Sequence, residues 1–367
     1  MRKALHQPDY SLIALLFIVI VFGLVMLSSA TSVLGYDKFT DSYWYLKHQM
    51  LLGFLPGLLL FFVLSKINYQ RLKKFYVLFF AASIILLMLV FIPGVGADFG
   101  TGSRSWIYFL GISFQPAEII KLTFLIFIAT WLDKRQERLA SFAYGFVPFM
   151  LYVGIMAALI IAQPDIGTLS IFLLIVFLVY FVAGAKWKHL GLIIIGAFTG
   201  LGILIKIAPY RMARLTAFLD PSADPQGVGY HINQALLAIG SGGWFGLGLG
   251  QSRQKFQYLP EVAGDSIFAI MAEELGFVLM LILIVLFLWM FIRMIKIAER
   301  APDTFGYLLT IGIAVWLTGQ FFVNVGAMLG ILPLTGLPLP LISYGGTSMI
   351  AIMAAMGIVV NISKQTQ

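Results

Sequence analysis

The sequence predicts an all-α membrane protein: about ten transmembrane helices, with a large structured extracytoplasmic loop between the seventh and the eighth. Three observations carry this. Of the 367 residues, 60% are hydrophobic and only 11% charged, with a mean hydropathy of +0.97, which suits a chain dissolved in lipid and not a soluble core. Apolar runs of about 20 residues, the length that crosses a hydrocarbon layer, recur from end to end. One polar stretch, 209–265, is long enough to form structure outside the membrane. The chain therefore reads as a single polytopic domain, 1–367, with that loop inside it. The absence of Cys excludes disulfides, a thiol nucleophile and a Cys-based metal site. His6, His48, His189 and His231 show no ligand spacing. The net charge of +8 reads as membrane topology, with no nucleic-acid partner implied.

Taken in order, the runs fall at about 11–31, 49–66, 75–93, 116–132, 143–163, 166–184, 189–208, 266–293, 305–330 and 340–361. The first reads as a span and not a cleaved signal peptide, because no clear small-x-small site follows Leu12 to Leu27. One set of connections holds Arg2, Lys3, Lys66, Arg71, Lys73, Lys74, Lys134, Arg135, Arg138, Lys186, Lys188, Arg293, Lys296, Arg300 and Lys364, which is 15 of the 24 basic residues. The opposite short connections hold Lys38, Lys47 and Arg104. The positive-inside rule then places both termini in the cytoplasm and 209–265 outside.

Polar residues inside apolar runs mark candidate sites, because lipid makes them costly. The fourth run opens SFQPAEIIKLTF, with Pro116 in the first turn and Glu118 and Lys121 three apart on one face. They form a local ion pair or face a polar groove. Gln163-Pro164-Asp165 joins two runs abruptly: either a re-entrant turn with a role in the site, or a tight hairpin with Asp165 capping the next helix. In the loop, 210–218 and 231–239 are short amphipathic pieces, and Gly240 to Gly250 is Gly-rich without a phosphate-loop ending. Arg211, Arg214 and Lys255 around it are candidates for an anionic headgroup, or contacts to lipid phosphates. Asp265 stands at the mouth of the eighth run, and Glu273 and Glu274 about two turns inside. In a continuous helix 265, 269, 272, 273 and 276 share a face, so Asp265 and Glu273 would line one stripe. The plain alternative for Asp265 is an acid favoured by a helix N-terminus. The stretch 332–348, LPLTGLPLPLISYGGTS, is too irregular to face lipid and must be buried or line a wet cavity; Ser343, Tyr344 and Ser348 bring hydroxyls to it.

GSRSWI (102–107), FQPAEIIK (114–121), QPDIGT (163–168), LDPSADPQGVGYHINQALLAIGSGG (219–243), YLPEVAGDSIFAIMAEELG (258–276) and PLPLISYGGTS (338–348) together resemble the SEDS (shape, elongation, division and sporulation) family of cell-wall polymerases, across essentially the whole chain. QSRQKFQYLPE resembles the FtsW-like division branch more than the RodA-like elongation branch. The resemblance implies ten helices, cytoplasmic termini and peptidoglycan glycosyltransferase activity on lipid II, a disaccharide pentapeptide carried on undecaprenyl pyrophosphate. It implies a class B penicillin-binding protein (a transpeptidase) as partner, among other divisome or elongasome membrane proteins. By the match, Asp265 takes the place of the family's essential outer acid. Glu118, Lys121 and Asp165 take places in its polar cavity, Arg104 that of its first outer-loop arginine, and Ser343 lies in its late motif. Gly264 and Ser266 depart from the pattern, which usually has Thr before the acid and Phe after it.

Transfer of a sugar from a lipid pyrophosphate needs a base at the acceptor hydroxyl and positive charge at the leaving group. Asp265 is the candidate base. Arg104, Arg211, Arg214, Lys255 and Lys121 are candidates for the pyrophosphate. A divalent cation, Mg²⁺ or Mn²⁺, bridging Asp265 and the pyrophosphate is compatible with this, although no all-protein metal cage is visible. A single acid suggests one inverting displacement. Two other classes fit a polar groove in a membrane protein: a lipid II flippase, for which Glu118, Lys121, Asp165 and Glu273 would suit headgroup passage, and a noncatalytic scaffold for the transpeptidase.

Overall fold

A computed structural model describes residues 7–97, 104–109, 112–207, 212–213, 216, 218–220, 227 and 229–366. A helix stands at the place of each predicted run: α1 (Tyr10–Ala30), α2 (Trp44–Lys66, with a π-helical turn at Met50–Phe54), α3 (Tyr76–Leu89), α4 (Pro116–Asp133), α5 (Phe142–Ala162), α6 (Ile166–Val182) and α7 (Trp187–Ile207). After α8 (Tyr230–Ser241) come α9 (Ile267–Glu299), α10 (Thr304–Met328) and α11 (Gly346–Ser363). Among the described residues, seven of these are long and apolar enough to cross a membrane; α3 and α6 are shorter, and α4 carries Glu118, Lys121 and Asp133. The protein is an integral membrane protein built from helices.

Several of the few acids act as helix caps, where a carboxylate satisfies amides that have no intrahelical partner. Asp9 accepts from Leu12 N–H and also pairs with Arg293 at 2.5 Å. Asp303 accepts from Gly306 N–H and from the Tyr69 hydroxyl. Asp165 caps α6, as the hairpin reading expected.

α10 forms the centre. It is buried along nearly its whole length and packs against α9, α6, α4 and α11. α2 and α11 pack along each other, and α1 lies on α9. α7 is the opposite case: most of its side chains are exposed, as for a helix bathed in lipid.

Three features differ from the sequence reading. A small antiparallel sheet, β1 (Gly96–Ala97), β2 (Trp106–Phe109) and β3 (Ile112–Phe114), precedes α4; aromatic and β-branched residues in WIYF favour the extended form. The last helix begins at Gly346 and not at 340, because Pro340 and the Gly345-Gly346 pair keep the preceding stretch irregular. The eighth run is not a continuous helix. Gly276 breaks α9 with φ 75° and ψ 178°, a conformation open essentially to glycine alone. The Gly-rich segment fills the break. Phe277 and Val278 N–H donate to the Gly243 and Trp244 carbonyls (2.9 and 3.2 Å), while Leu247 and Gly248 N–H donate to those of Glu273 and Glu274 (3.0 Å each). The break therefore leaves these backbone groups satisfied within protein, as lipid demands.

Candidate active site

Asp265 ends a tight turn just before α9 and is only 8% exposed. The turn closes on the Glu261 carbonyl, which accepts from Gly264 and Ser266 N–H (2.9 and 3.3 Å). Three consecutive carbonyls of this segment are then held by other parts of the chain. Tyr344 N–H donates to Ala263 O at 2.8 Å, the Ser343 hydroxyl to Gly264 O at 2.6 Å, and Asn324 Nδ2 to Asp265 O at 2.8 Å. Ser343 also accepts from Leu339 N–H, and Gln49 Oε1 accepts from Gly345 N–H at 3.0 Å. Gln257, Glu261 and Leu341 have positive φ (65°, 52° and 66°), so strained backbone gathers in the two segments that meet at Asp265.

A buried polar chain leads from this turn into the bundle. Asn324 Nδ2 also donates to Leu337 O (2.8 Å), and Gln320, one turn earlier on α10, donates to Pro338 O at 2.9 Å. Gln320 Oε1 accepts from Trp316 Nε1 (3.0 Å) and from Lys121 Nζ (2.8 Å). Lys121 pairs with Glu118 at 2.6 Å, both side chains almost fully buried, and its ammonium lies 5.0 Å from the Trp316 ring centroid. The charges are thus a local pair and also part of a longer network. Glu118 Oε2 is buried with no hydrogen-bond partner among the described residues.

Asp165 belongs to the same end of the molecule. It accepts from Thr168 N–H (2.9 Å) and hydroxyl (2.8 Å), and more distantly from Gln115 Nε2 (3.5 Å). Gln115 N–H donates to the Thr347 hydroxyl at 3.2 Å. These contacts bring together the N-termini of α4, α6 and α11, beside the segment that begins α9. Helix N-termini carry partial positive charge, which favours an anion.

The remaining predicted residues do not all gather here. Arg104 is exposed, just before β2. Arg211 and Arg214 lie outside the described residues. Lys255 is buried and occupied: its ammonium donates to Glu274 (3.0 Å) and to Gly250 O (2.6 Å), so it ties the loop to α9. Glu273 does not share a stripe with Asp265, because Asp265 precedes the helix. The Glu273 carboxylate accepts from Ser252 Oγ and from Arg253 and Gln254 N–H. It anchors the 252–254 turn. Glu274 accepts from Ser29 Oγ of α1 at 2.6 Å as well. A surface hollow of about 490 Å³ opens nearby, lined by Ser32, Tyr36, Asp37, Phe256 and Gln257, but Asp265 is not in its lining. No group of three or more His, Asp or Glu that could hold a metal occurs among the described residues.

The family model described as "Cell cycle protein" (FTSW_RODA_SPOVE) matches residues 9–367. The chain belongs to this FtsW/RodA/SpoVE family. It is 40% identical over 367 residues to stage V sporulation protein E of Bacillus subtilis, with 98% of each chain covered. It is 39% identical to a probable peptidoglycan glycosyltransferase FtsW of a Geobacter species (strain M18), with 97% of each covered. Among solved structures, a chain from work on coordinated polymerization and crosslinking by a peptidoglycan synthase complex superposes with a TM-score of 0.80 at 30% identity, covering 98% of both chains. The rod-shape-determining protein RodA of Thermus thermophilus gives 0.72 at 30% identity, covering 98% of this chain and 97% of that one.

For this FtsW/RodA/SpoVE family member, sequence reasoning passed over Gln49, Gln115, Gln320 and Asn324. Gln320 and Asn324 stand one turn apart in the apolar run TGQFFVNVGAM, and two amides that share a face in lipid are a signal because each needs a hydrogen-bond partner there. Ser266 and His231 were also passed over as site residues; their pairing, at 2.6 Å, spans 35 positions and leaves no local pattern.

Proposed function

We propose that this chain is a peptidoglycan glycosyltransferase that polymerises lipid II, with Asp265 as general base. The observation that carries the proposal is the placement of Asp265: a mostly buried carboxylate on a turn fixed by three separate donors, at the end where the N-termini of α4, α6 and α11 meet. The names of the relatives support the reaction class. An acceptor sugar hydroxyl attacks the anomeric carbon of the lipid-linked donor. The new C–O bond forms as the bond to the pyrophosphate oxygen breaks, the hydroxyl proton goes to Asp265, and the electron pair leaves with the lipid pyrophosphate. General-base assistance of this kind contributes roughly 10²–10⁴-fold. The helix N-termini supply positive potential for the leaving group. Were a Mg²⁺ or Mn²⁺ ion required, Asp265 would be the side chain to hold it, and the ion would supply positive charge for the leaving pyrophosphate. Glu118, Lys121 and Asp165 shape the polar floor of the site.

The proposal includes an active site on the extracytoplasmic side of the bacterial cytoplasmic membrane, both termini in the cytoplasm, and a class B penicillin-binding protein as partner. The test is glycan polymerisation from purified lipid II, with Mg²⁺ or Mn²⁺ and with and without the transpeptidase. The intact chain is expected to make polymer, and Asp265→Asn to make none at equal folding. Polymer from Asp265→Asn at the parent rate would remove the carboxylate from the mechanism. Lipid II translocation without polymer would favour a flippase.

A further inference from the structure

Two residues beside Asp265 have no part in that mechanism. His231 stands in the first turn of α8, and its Nε2 lies 2.6 Å from the Ser266 hydroxyl oxygen. Ser266 is fully buried, and the same oxygen lies 3.4 Å from Asp265 Oδ1. A serine hydroxyl has one proton to give and lone pairs with which to accept. When that proton is directed at the carboxylate, the imidazole must supply the N–H to the serine oxygen. The position of His231 favours this arrangement. A ring that carries its proton on Nε2 donates there, and the place of His231 at the start of α8 brings that nitrogen to the serine. The packing of α8 on α9 sets the separation.

The donors described above act on the main chain at 263–265, whereas the Ser266 hydroxyl stands against the Asp265 carboxylate itself. A general base works only when its lone pair meets the reacting proton within hydrogen-bond reach, and small misorientations are costly. A buried hydroxyl on the adjacent residue, itself held by a ring from another helix, supplies that orientation.

We propose that His231 and Ser266 are positioning residues for the transfer: the imidazole Nε2–H donates to Ser266 Oγ, and the Ser266 hydroxyl donates to Asp265 Oδ1, holding the carboxylate toward the acceptor hydroxyl. This rests on the reading of Asp265 as the base. The acceptor's proton still goes to Asp265, and His231 and Ser266 exchange no net proton.

The experiment measures initial polymerisation rates of the full chain with its transpeptidase partner against lipid II concentration. The variants are Ser266→Ala, His231→Leu, His231→Gln, the double variant His231→Leu/Ser266→Ala, and Asp265→Asn as reference. Ser266→Ala and His231→Leu are each expected to lower kcat on the order of tenfold, the weight of one hydrogen bond to a charged group, with KM unmoved. His231→Gln, whose amide N–H can still reach the serine, recovers most of the rate lost in His231→Leu. The double variant is no slower than Ser266→Ala alone, because both changes cut one chain. Equal rates for the parent and Ser266→Ala, with Asp265→Asn inactive, would overturn the relay and leave the base intact. Losses that multiply in the double variant, or His231→Gln as slow as His231→Leu, would overturn it too. If Asp265→Asn polymerises at the parent rate, the base reading falls and the relay falls with it. If Ser266→Ala does not yield folded protein, the comparison of Gln with Leu at His231 decides.

Discussion

At the scale of single residues, the molecule buries charge only where it is answered. Lys121 has two side-chain acceptors and a tryptophan face, and Glu118 is its closest partner. Removing one member of such a pair leaves an uncompensated buried charge, which costs about 3–5 kcal/mol, whereas removing both is often neutral. Lys121→Met is therefore expected to lower the melting midpoint in detergent sharply, and adding Glu118→Gln to restore much of it. A double variant no more stable than Lys121→Met would show that Gln320 and Trp316, not the ion pair, hold this region. Gly264 makes the opposite case. An added Cβ would meet its nearest neighbour, Glu261 Oε2, at an ordinary 3.4 Å, and the backbone there does not need glycine. The hydrogen bonds that fix the turn run through main-chain carbonyls. Gly264→Thr is expected to fold as well as the parent or to gain about 0.4–1 kcal/mol from a less flexible unfolded chain. Thermal unfolding checks this, and a clear loss of stability would mean that the turn does depend on glycine.

At the scale of elements, the broken helix α9 shows what was legible in the sequence and what was not. The Gly-rich stretch, the acid pair Glu273-Glu274 and the apolar run were all visible. Their mutual fit was not. Hydropathy registers an uninterrupted run through Gly276, and the main-chain groups that cap the break come from Gly243 to Gly248, about 30 positions earlier. A separation of 19 and 20 positions likewise hid the true partners of Lys255 and Glu273, so both looked like substrate contacts when each holds the loop to α9. Asp165 was legible as a cap because capping is local: its carboxylate reaches only to Thr168. The break makes a sharp prediction. A Cβ at Gly276 would lie 2.2 Å from Gly246 N, and one at Gly246 would lie 2.1 Å from Glu274 O. Beyond those clashes, the φ/ψ of Gly276 costs other residues of order 1–3 kcal/mol. Gly276→Ala should free the 242–250 segment from α9, seen as faster proteolytic cleavage there together with lost polymerase activity. Unchanged protection of that segment would mean that the fit tolerates a side chain.

At the scale of the whole molecule, the two ends have different chemistry. One end is basic and tied by caps and ion pairs: Asp9 with Arg293, Lys73 with Asp133, and Asp303 with Tyr69, itself held through Asn361. The other end carries the Asp265 turn, the small sheet and the hydrogen bond from Gln257 to Asp37 at 2.7 Å, which docks the short helix Ser32–Phe39 beside the loop. The helices were legible one by one, because lipid imposes its length and polarity on each run separately. The site was legible only as separate motifs, because its segments near 49, 115, 165, 265, 320 and 343 meet only once the bundle is packed. In the orientation proposed from the Lys/Arg asymmetry, the basic end faces the cytoplasm and Asp265 faces out. The chain has no cysteine, so single introduced thiols report on it without background. Tyr36 and Arg300 are both exposed, on opposite ends. In intact spheroplasts, Tyr36→Cys is expected to react with a membrane-impermeant maleimide, and Arg300→Cys only after the membrane is opened. The reverse pattern would put the Asp265 turn in the cytoplasm, where a base aimed at polymerising an exported lipid-linked sugar has no substrate, and the proposed function would fail along with the orientation.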